Sequence, residues 1–397
     1  RQAAAAARLL PRAWRRLRDI EAAPPGEPVP FAGAGVAVRP WPADPEGLLA
    51  AIDELGVRHV LLRLHPWEDR HDDEEALAAA LAGRGLEVSF SLPQSRVLVR
   101  DPSRWRAAVV ELATRFVPHG KAFQVGQAIN RSKWGIWSPE EYRALATTAA
   151  RELRRHPGAL VLGPGVIDWE PHATAGALGY PGMPRFDALA SLLYVDRRGA
   201  PESRQAGFDA VRKASFLAAL AEEAPACAPR SWITEVNWPL WEGPHSPAGR
   251  LVAVDEETQA DYLVRYFVPL LASGRVERIF WWQAIARGYG LVAPEEGGTL
   301  RRRPSWHAMA TMLRQLDGAL AEGRLPGSEG ARLYRFRTVD GGALIVGWST
   351  GTEPVEWTPP IPIAAATARD GAPLPPPSGR IALGPAPIYL RLADEGR

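Results

Sequence analysis

The sequence predicts an α/β chain, a (β/α)8 TIM barrel with a small C-terminal β-sandwich domain. Three observations lead there. Eight short apolar runs alternate with helix-like stretches over about 290 residues, the rhythm of a closed parallel barrel. No GxGxxG follows the first run, which argues against a doubly wound dinucleotide sheet; Gly33-Ala34-Gly35 lies before that run, on the wrong side for phosphate. From Ala331 the rhythm changes to short strands separated by Gly, Pro and Asp.

The chain divides by composition into residues 1–30, 31–325 and 326–397. The opening stretch, Arg1 to Arg18, sets Arg8, Arg12, Arg15, Arg16 and Arg18 around Leu9, Leu10, Trp14 and Leu17, a short basic amphipathic helix. Through residues 1–20 it suits an anionic membrane surface or a partner domain, and equally a solvated connecting helix. It lacks the ordered apolar stretch and cleavage site of a signal peptide. A Pro-rich linker, Ala22–Pro30, follows.

The expected barrel strands are Gly35–Val38, His59–Leu64, Glu87–Leu92, Ala122–Gly126, Leu160–Ile167, Ala190–Val195, Ser231–Val236 and Arg278–Gln283. Helices are expected over Pro45–Leu55, Asp73–Gly83, Pro102–Phe116, Pro139–Arg155, Phe208–Ala224 and Glu256–Ala272. Ser138-Pro139-Glu140-Glu141 shows the start signal in full: Ser as N-cap, Pro at the first position, acids in the first turn. The C-terminal strands expected are Leu333–Arg337, Ala343–Ser349, Val355–Thr358 and Ile388–Leu392.

Composition narrows the function classes. Of 397 residues 46% are hydrophobic and 23% charged, the balance of a soluble globular protein, cytoplasmic or peripheral to a membrane. A formal net charge of +2 gives no electrostatic case for nucleic acid. Cys227 is alone, so neither an intrachain disulfide nor a cysteine metal site can form. The histidines lack HxxxH or HxH spacing, so no metal is expected, and no motif calls for a cofactor. No Gly-x-Ser-x-Gly elbow is present. Fifteen tryptophans against three methionines favour carbohydrate, because flat sugar faces stack on indoles, although core packing also uses them.

In such a barrel, reactive residues project from the C-terminal ends of the strands. Strand two ends with Arg63 and His65, followed by Trp67, Glu68 and Asp69. Strand four leads to Gln127, Ala128, Asn130, Lys133, Trp134 and Trp137. Strand five leads to Asp168, Trp169, Glu170 and His172, and strand six to Tyr194. Strand seven gives Glu235, Asn237 and Trp238; strand eight gives Trp281, Trp282 and Gln283. Carboxylates, amides and indoles thus converge on one rim, the composition of a sugar site. Glu235 stands out, since a carboxylate at the outlet of an apolar strand costs free energy unless it is hydrogen-bonded or functional; a structural ion pair is the plainer alternative. Arg63 or Tyr194 could hold it ionised. Arg131 and Lys133 favour an anionic sugar or phosphate, or are ordinary solvated charges.

Trp232-Ile233-Thr234-Glu235-Val236-Asn237-Trp238 resembles the nucleophile strand of clan A retaining glycoside hydrolases. Phe280-Trp281-Trp282-Gln283 resembles their last strand, whose Trp floors the reacting subsite. Thr258-Gln259-Ala260-Asp261-Tyr262-Leu263 and Arg303-Pro304-Ser305-Trp306-His307-Ala308 resemble neighbouring segments. Within the clan the resemblance points to β-xylosidases, α-iduronidases and bacterial exopolysaccharide hydrolases, and it runs from about Phe31 to Leu392. It implies Glu235 as nucleophile and an oligosaccharide or polysaccharide of a bacterial cell surface, exopolysaccharide or lipopolysaccharide, as substrate. Gln127, Asn130 and Tyr194 would orient the nucleophile or bind sugar hydroxyls, and Trp282 would stack beneath the ring.

One departure is serious. Those families carry an Asn-Glu pair after strand four, and its Glu is the acid/base; Gln127 and Ala128 stand there instead. Retaining chemistry uses two carboxyls ~5–5.5 Å apart, and general acid assistance is worth ~10²–10⁴ in rate. Three alternatives stay open. Another rim carboxylate supplies the proton, with Glu170 ahead of Asp168, Glu68 and Asp69. The barrel binds glycan without cleaving it. Or Ala128 is an introduced, inactivating change.

Overall fold

The computed structural model describes residues 1–393 except 25, 247–248, 296, 298, 327–328 and 378. Eight parallel strands close into a barrel: β1 (Ala34–Val38), β2 (His59–Arg63), β3 (Glu87–Leu92), β4 (Ala122–Val125), β5 (Leu160–Ile167), β6 (Ala188–Leu192), β7 (Ser231–Val236) and β8 (Arg278–Trp281). Gly35 pairs with His59 at one seam, and Val36 with Trp281 at the seam that closes the ring. Alternate side chains fill the interior: Ala37, Leu61, Ala122, Leu162, Ala188 and Ala190 leave room for Trp232 and Phe280. Alanines and leucines on five strands thus accommodate two large rings on two others, as close packing requires.

The strand positions follow the sequence reading, with one shift. The sixth strand begins two residues earlier than expected and ends at Leu192, so Tyr194 lies beyond it on a loop. Helix starts follow local chemistry. Asp44 accepts from Gly47 N, Asp255 from Thr258 N, and Ser138 with Glu141 forms the reciprocal capping box.

α1 (Gln2–Ala22) packs on the barrel. Its Ala5, Ala6, Leu9, Ala13 and Leu17 are buried, where it lies against α7 (Pro171–Leu178) and α8 (Ala210–Glu223). Trp14 meets Phe208 and Phe216 with ring centroids 5.6 and 5.9 Å apart. Arg12 pairs with Glu223 at 2.9 Å, Arg16 with Glu222, and Arg212 with Glu21 at 2.6 Å. This corrects the expectation of a membrane or partner contact through residues 1–20. The apolar face of the helix is spent on the chain's own barrel, because small residues there let the helices approach closely. Among the described residues no helix is long and apolar enough to cross a membrane.

The C-terminal region is a two-layer β structure. Its strands are β9 (Leu320–Arg324), β10 (Ala331–Arg337), β11 (Ala343–Ser349), β12 (Val355–Trp357), β13 (Ile363–Ala368), β14 (Pro373–Leu374), β15 (Ile381–Leu383) and β16 (Ile388–Leu392). The larger, seven-stranded sheet runs Val29–Pro30, β9, β10, β11, β16, β13, β14, so the segment before the barrel supplies one edge; β12 and β15 form the second sheet. Period-two alternation serves both faces. Leu333, Ile345 and Leu390 join Trp357, Ile381 and Leu383 in the sandwich core, while Tyr334, Phe336, Val346 and Trp348 join the barrel core. A buried pair, Arg265 of α9 (Glu256–Ala272) with Glu202 at 2.6 Å, fastens the layers, and Trp348 Nε1 donates to the same carboxylate at 2.7 Å.

Candidate active site

Glu235 sits next to last on β7, with 8% of its surface exposed. Three donors from three other strand outlets converge on it. Arg63 Nη2 and Gln127 Nε2 reach Oε2 at 2.6 and 2.7 Å, and the Tyr194 hydroxyl donates to Oε1 at 2.5 Å. Burial, then the adjacent Glu235 charge, pushes the Tyr194 phenol well above its ordinary range, so it stays a proton-bearing donor. A carboxylate oxygen has two lone pairs, so Oε2 is filled by two donors while Oε1 keeps one pair free. What results is an oriented side chain, ion-paired with Arg63, with a single atom available for chemistry.

Gln127 is itself fixed by residues the sequence reading passed over. Gln94, after β3, donates Nε2 to the carbonyls of Gln127 and Trp134, both at 2.9 Å, and accepts from Gln127 N at 2.9 Å. Gln124 donates to Gln127 Oε1 at 3.2 Å, which turns the Gln127 amide nitrogen toward Glu235. The available signal was position alone: a polar residue just past an apolar strand. Gly165 makes the neighbouring approach possible, since a Cβ there would lie 2.4 Å from the Gly126 carbonyl oxygen. Ala128 follows, buried, with φ of +46°.

Beyond Ala128 a second polar group forms. Asn130 Nδ2 donates to Glu170 at 2.8 Å and to the Ile167 carbonyl at 3.0 Å, and its Oδ1 accepts from Ile167 N at 3.0 Å. Arg131 grips Glu170 at 2.6 Å and Asp168 at 2.8 Å. Burial pushes the Glu170 carboxyl up, but hydrogen bonds from Asn130 and Arg131 outweigh it and hold the group below its ordinary range. A general acid needs the opposite shift, so the bonds from Asn130 and Arg131 work against Glu170 as proton donor. Asp168 is paired as well, and Glu68 and Asp69 are exposed. Arg131, expected to favour an anionic ligand, is already matched by two carboxylates. Asn130 is a tie between the outlets of β4 and β5.

Other expected site residues fall into two groups. Arg63, Trp134 and Trp282 meet: the guanidinium lies 3.7 Å from the Trp282 ring centroid and 5.8 Å from that of Trp134. Trp282 is only 8% exposed, and one face belongs to Arg63. Asn237 donates to the Trp282 carbonyl at 2.7 Å and so positions it, while Gln283 is buried beside it. His65 is half-buried against Trp67, and burial, then Arg63, lowers its pKa and favours neutral imidazole. Lys133 is exposed. Trp169 packs on Phe208 at 5.1 Å yet keeps part of its surface open to a cleft of about 410 Å³, which Tyr194 also lines.

Trp238 and Trp281 are corrections. Both are fully buried, stacked on each other at 6.1 Å, with Trp238 also against Tyr262 and Tyr266. Adjacent residues on a strand point to opposite faces, so Trp281 turns out toward the helices while Trp282 turns in. Neither Trp238 nor Trp281 offers a face to a sugar.

A group that spacing did not reveal is His65, Glu68 and Glu74, whose ligand atoms lie within 4.8 Å of one another. One imidazole and two carboxylates could take a divalent cation. Surface groups of this kind also persist without one, His65 lying 3.6 Å from Glu68.

No protein-family model matches the chain, and no curated protein matches its sequence. Its fold does have solved counterparts. An arabinofuranosidase of glycoside hydrolase family GH51 from Xanthomonas axonopodis pv. citri superposes with a TM-score of 0.58 and 13% identity, over 93% of this chain and 98% of that one. A GH39 β-xylosidase from Caulobacter crescentus gives 0.56 and 16%, over 93% and 98%. The catalytic domain of GH30 xylanase C from Talaromyces cellulolyticus gives 0.56 and 11%, over 92% and 97%. The fold is that of glycoside hydrolases. At such identities the likeness concerns the fold alone, but it spans the C-terminal β region as well as the barrel.

Proposed function

We propose that this protein acts on glycosides at the C-terminal rim of its barrel, with Glu235 as nucleophile and without an acid/base of its own. The observation that carries this is the set of three donors on Glu235, which orients a mostly buried side chain and leaves one Oε1 lone pair open. Oε1 attacks the anomeric carbon as the bond to the leaving group breaks, and the leaving group takes the electron pair. Water then attacks the anomeric carbon of the glycosyl ester and loses a proton to bulk solvent as the ester C–O bond breaks, releasing sugar and the carboxylate. In the first step the residues after β4 and β5 give a departing alkoxide no proton: Ala128 has only a methyl group, and Asn130 and Arg131 hold the Glu170 carboxyl below its ordinary range. Substrates are therefore glycosides whose leaving group departs as a stable anion. A bacterial surface polysaccharide, the glycan class that the sequence resemblance adds, would leave as an unstabilised alkoxide, so it is a ligand that the rim holds and cleaves only slowly.

The test uses 2,4-dinitrophenyl 2-deoxy-2-fluoro glycosides of xylose, arabinose, glucose, galactose and mannose. Intact mass should rise by one fluoroglycosyl group with at least one sugar, and Glu235→Gln should abolish the label. Sodium azide, which needs no general base, should speed turnover of the matching unfluorinated glycoside. Ala128→Glu should raise the rate on unactivated glycosides by ~10²–10⁴ and remove the azide effect. Absence of label with all five sugars would refute the nucleophile assignment.

A second reading has its own observation. The methyl group at Ala128 and the paired Glu170 also suit a barrel that binds glycan without turnover. Affinity for a glycan that survives Glu235→Gln unchanged, with no labelling, would select it.

A further inference from the structure

Trp137 stands out among the described residues because it is 68% exposed yet held in place. Arg96 lies under the ring, 3.8 Å from the centroid. Arg96 in turn bonds the Gly135 carbonyl at 2.9 Å and Glu141 at 2.7 Å, and the other Glu141 oxygen accepts from Trp137 N at 2.8 Å. An indole left in water gains nothing for folding, whereas one fixed flat on a guanidinium has already lost the rotamer freedom that binding would otherwise cost. It faces a cleft of about 820 Å³ whose floor is apolar and whose edge carries Ser132, His172 and Glu170.

This cleft neighbours the one beside the candidate active site, with Glu170 between them. Glu170 lines both it and the 410 Å³ cleft that holds Trp169 and Tyr194. Tyr194 is bonded to Glu235. The outlets along this path are also where the backbone is held in the left-handed region without glycine: φ is +46° at Ala128, +62° at Asp168, +49° at Arg197 and +53° at Arg198. Such positions persist where surrounding contacts over-determine them, and they gather at binding sites.

We propose that the two clefts form one track for an extended glycan chain, running from Glu235 past Tyr194 and Trp169, over the Glu170 ridge, to a distal sugar stacked on Trp137. This rests on the reading that the rim takes glycans, and it makes the ligand a chain of several sugars. One wall of the distal cleft comes from the start of α1, whose Gln2, Ala3 and Ala7 line it, so the helix docked on the barrel completes the track. Flat apolar platforms beside hydroxyl and carboxylate partners suit a sugar chain better than a peptide, which would need unpaired backbone groups to pair with.

The test measures binding by calorimetry of xylohexaose, cellohexaose, laminarihexaose, mannohexaose and arabinohexaose, each against its monosaccharide. At least one hexasaccharide should bind ten-fold or more tighter than its monosaccharide. Trp137→Ala should erase about five-fold or more of that gain, while Trp137→Phe keeps most of it; both side chains are at the surface, so the fold is unaffected. The proposal is overturned if no hexasaccharide outbinds its monosaccharide, or if Trp137→Ala leaves the gain intact. Fluoroglycoside labelling separates the two readings: label on Glu235 without a hexasaccharide preference removes the track alone. A Trp137-dependent preference without label removes the nucleophile assignment alone.

Discussion

Removing the Arg63 guanidinium would leave the Glu235 carboxylate with two neutral donors and little water, since the two side chains are 15% and 11% exposed. Breaking a pair this buried costs ~3–5 kcal/mol, whereas replacing both partners by apolar groups of similar volume is near neutral. Arg63→Ala should therefore lower stability in urea unfolding by ~3 kcal/mol or more. The double variant Arg63→Met/Glu235→Leu should regain most of it while losing all labelling. If the single variant is as stable as the parent, the pair is solvated and the picture of a dry nucleophile fails. Glu235 could be found from sequence because a lone carboxylate in an apolar strand is conspicuous. The tryptophans could not be sorted in the same way. In Trp281-Trp282 one ring must face in and the other out, and residue type does not say which until the register is known. Gln94 and Gln124 were missed for the opposite reason: a neutral amide carries no charge to mark it, and its role lies entirely in whom it bonds.

At the scale of elements, α1 behaves as part of the barrel wall. Leu17 is fully buried, and Leu17→Ala should cost ~2–5 kcal/mol by the usual cavity penalty. Arg15→Ala, on the exposed face, should stay within ~0.5 kcal/mol. Equal, small effects of both in urea titrations would mean that the helix is loosely held. The six helices expected from capping and periodicity all formed, because Asp, Ser and Pro mark helix starts with local chemistry. Three further helices among the described residues escaped, the shortest being the five-residue Arg96–Arg100, capped by Ser95. Pro171–Leu178 is made almost wholly of small residues and has no amphipathic stripe, and α10 (Pro304–Gln315) was met as a resemblance segment rather than as periodicity. Among the C-terminal strands, β9 (Leu-Ala-Glu-Gly-Arg) lacks the β-branched and aromatic residues that mark a strand and β13 (Ile-Ala-Ala-Ala-Thr-Ala) is mostly alanine, and both form because a neighbour supplies the ladder.

For the molecule as a whole, the pH response of stability should carry a histidine component. Burial first, then Arg278, lowers His59 from its ordinary ~6.5 to about 4. The folded protein thus keeps this imidazole neutral where the unfolded chain protonates it. Its share of stability is complete above ~6.5 and is lost as pH falls toward about 4. Urea midpoints at pH 7.5 and 5 should differ more for the parent than for His59→Gln; equal differences would show that His59 is not the cause. The barrel was readable because eight repeats of one rhythm reinforce each other. Its union with the β region was not, since that depends on pairing between Val29–Pro30 and Leu320–Ala321, nearly the whole chain apart. That pairing has a practical corollary. Val29 and Pro30 work as a hem stitched from the near end of the polypeptide onto the far one, so deleting these two residues alone, with α1 kept, would leave the outermost ladder of β9 bare. A protein altered in that way would invite strand-to-strand aggregation at a seam remote from its rim, and clumping on removal of that pair would trace to the lost hem.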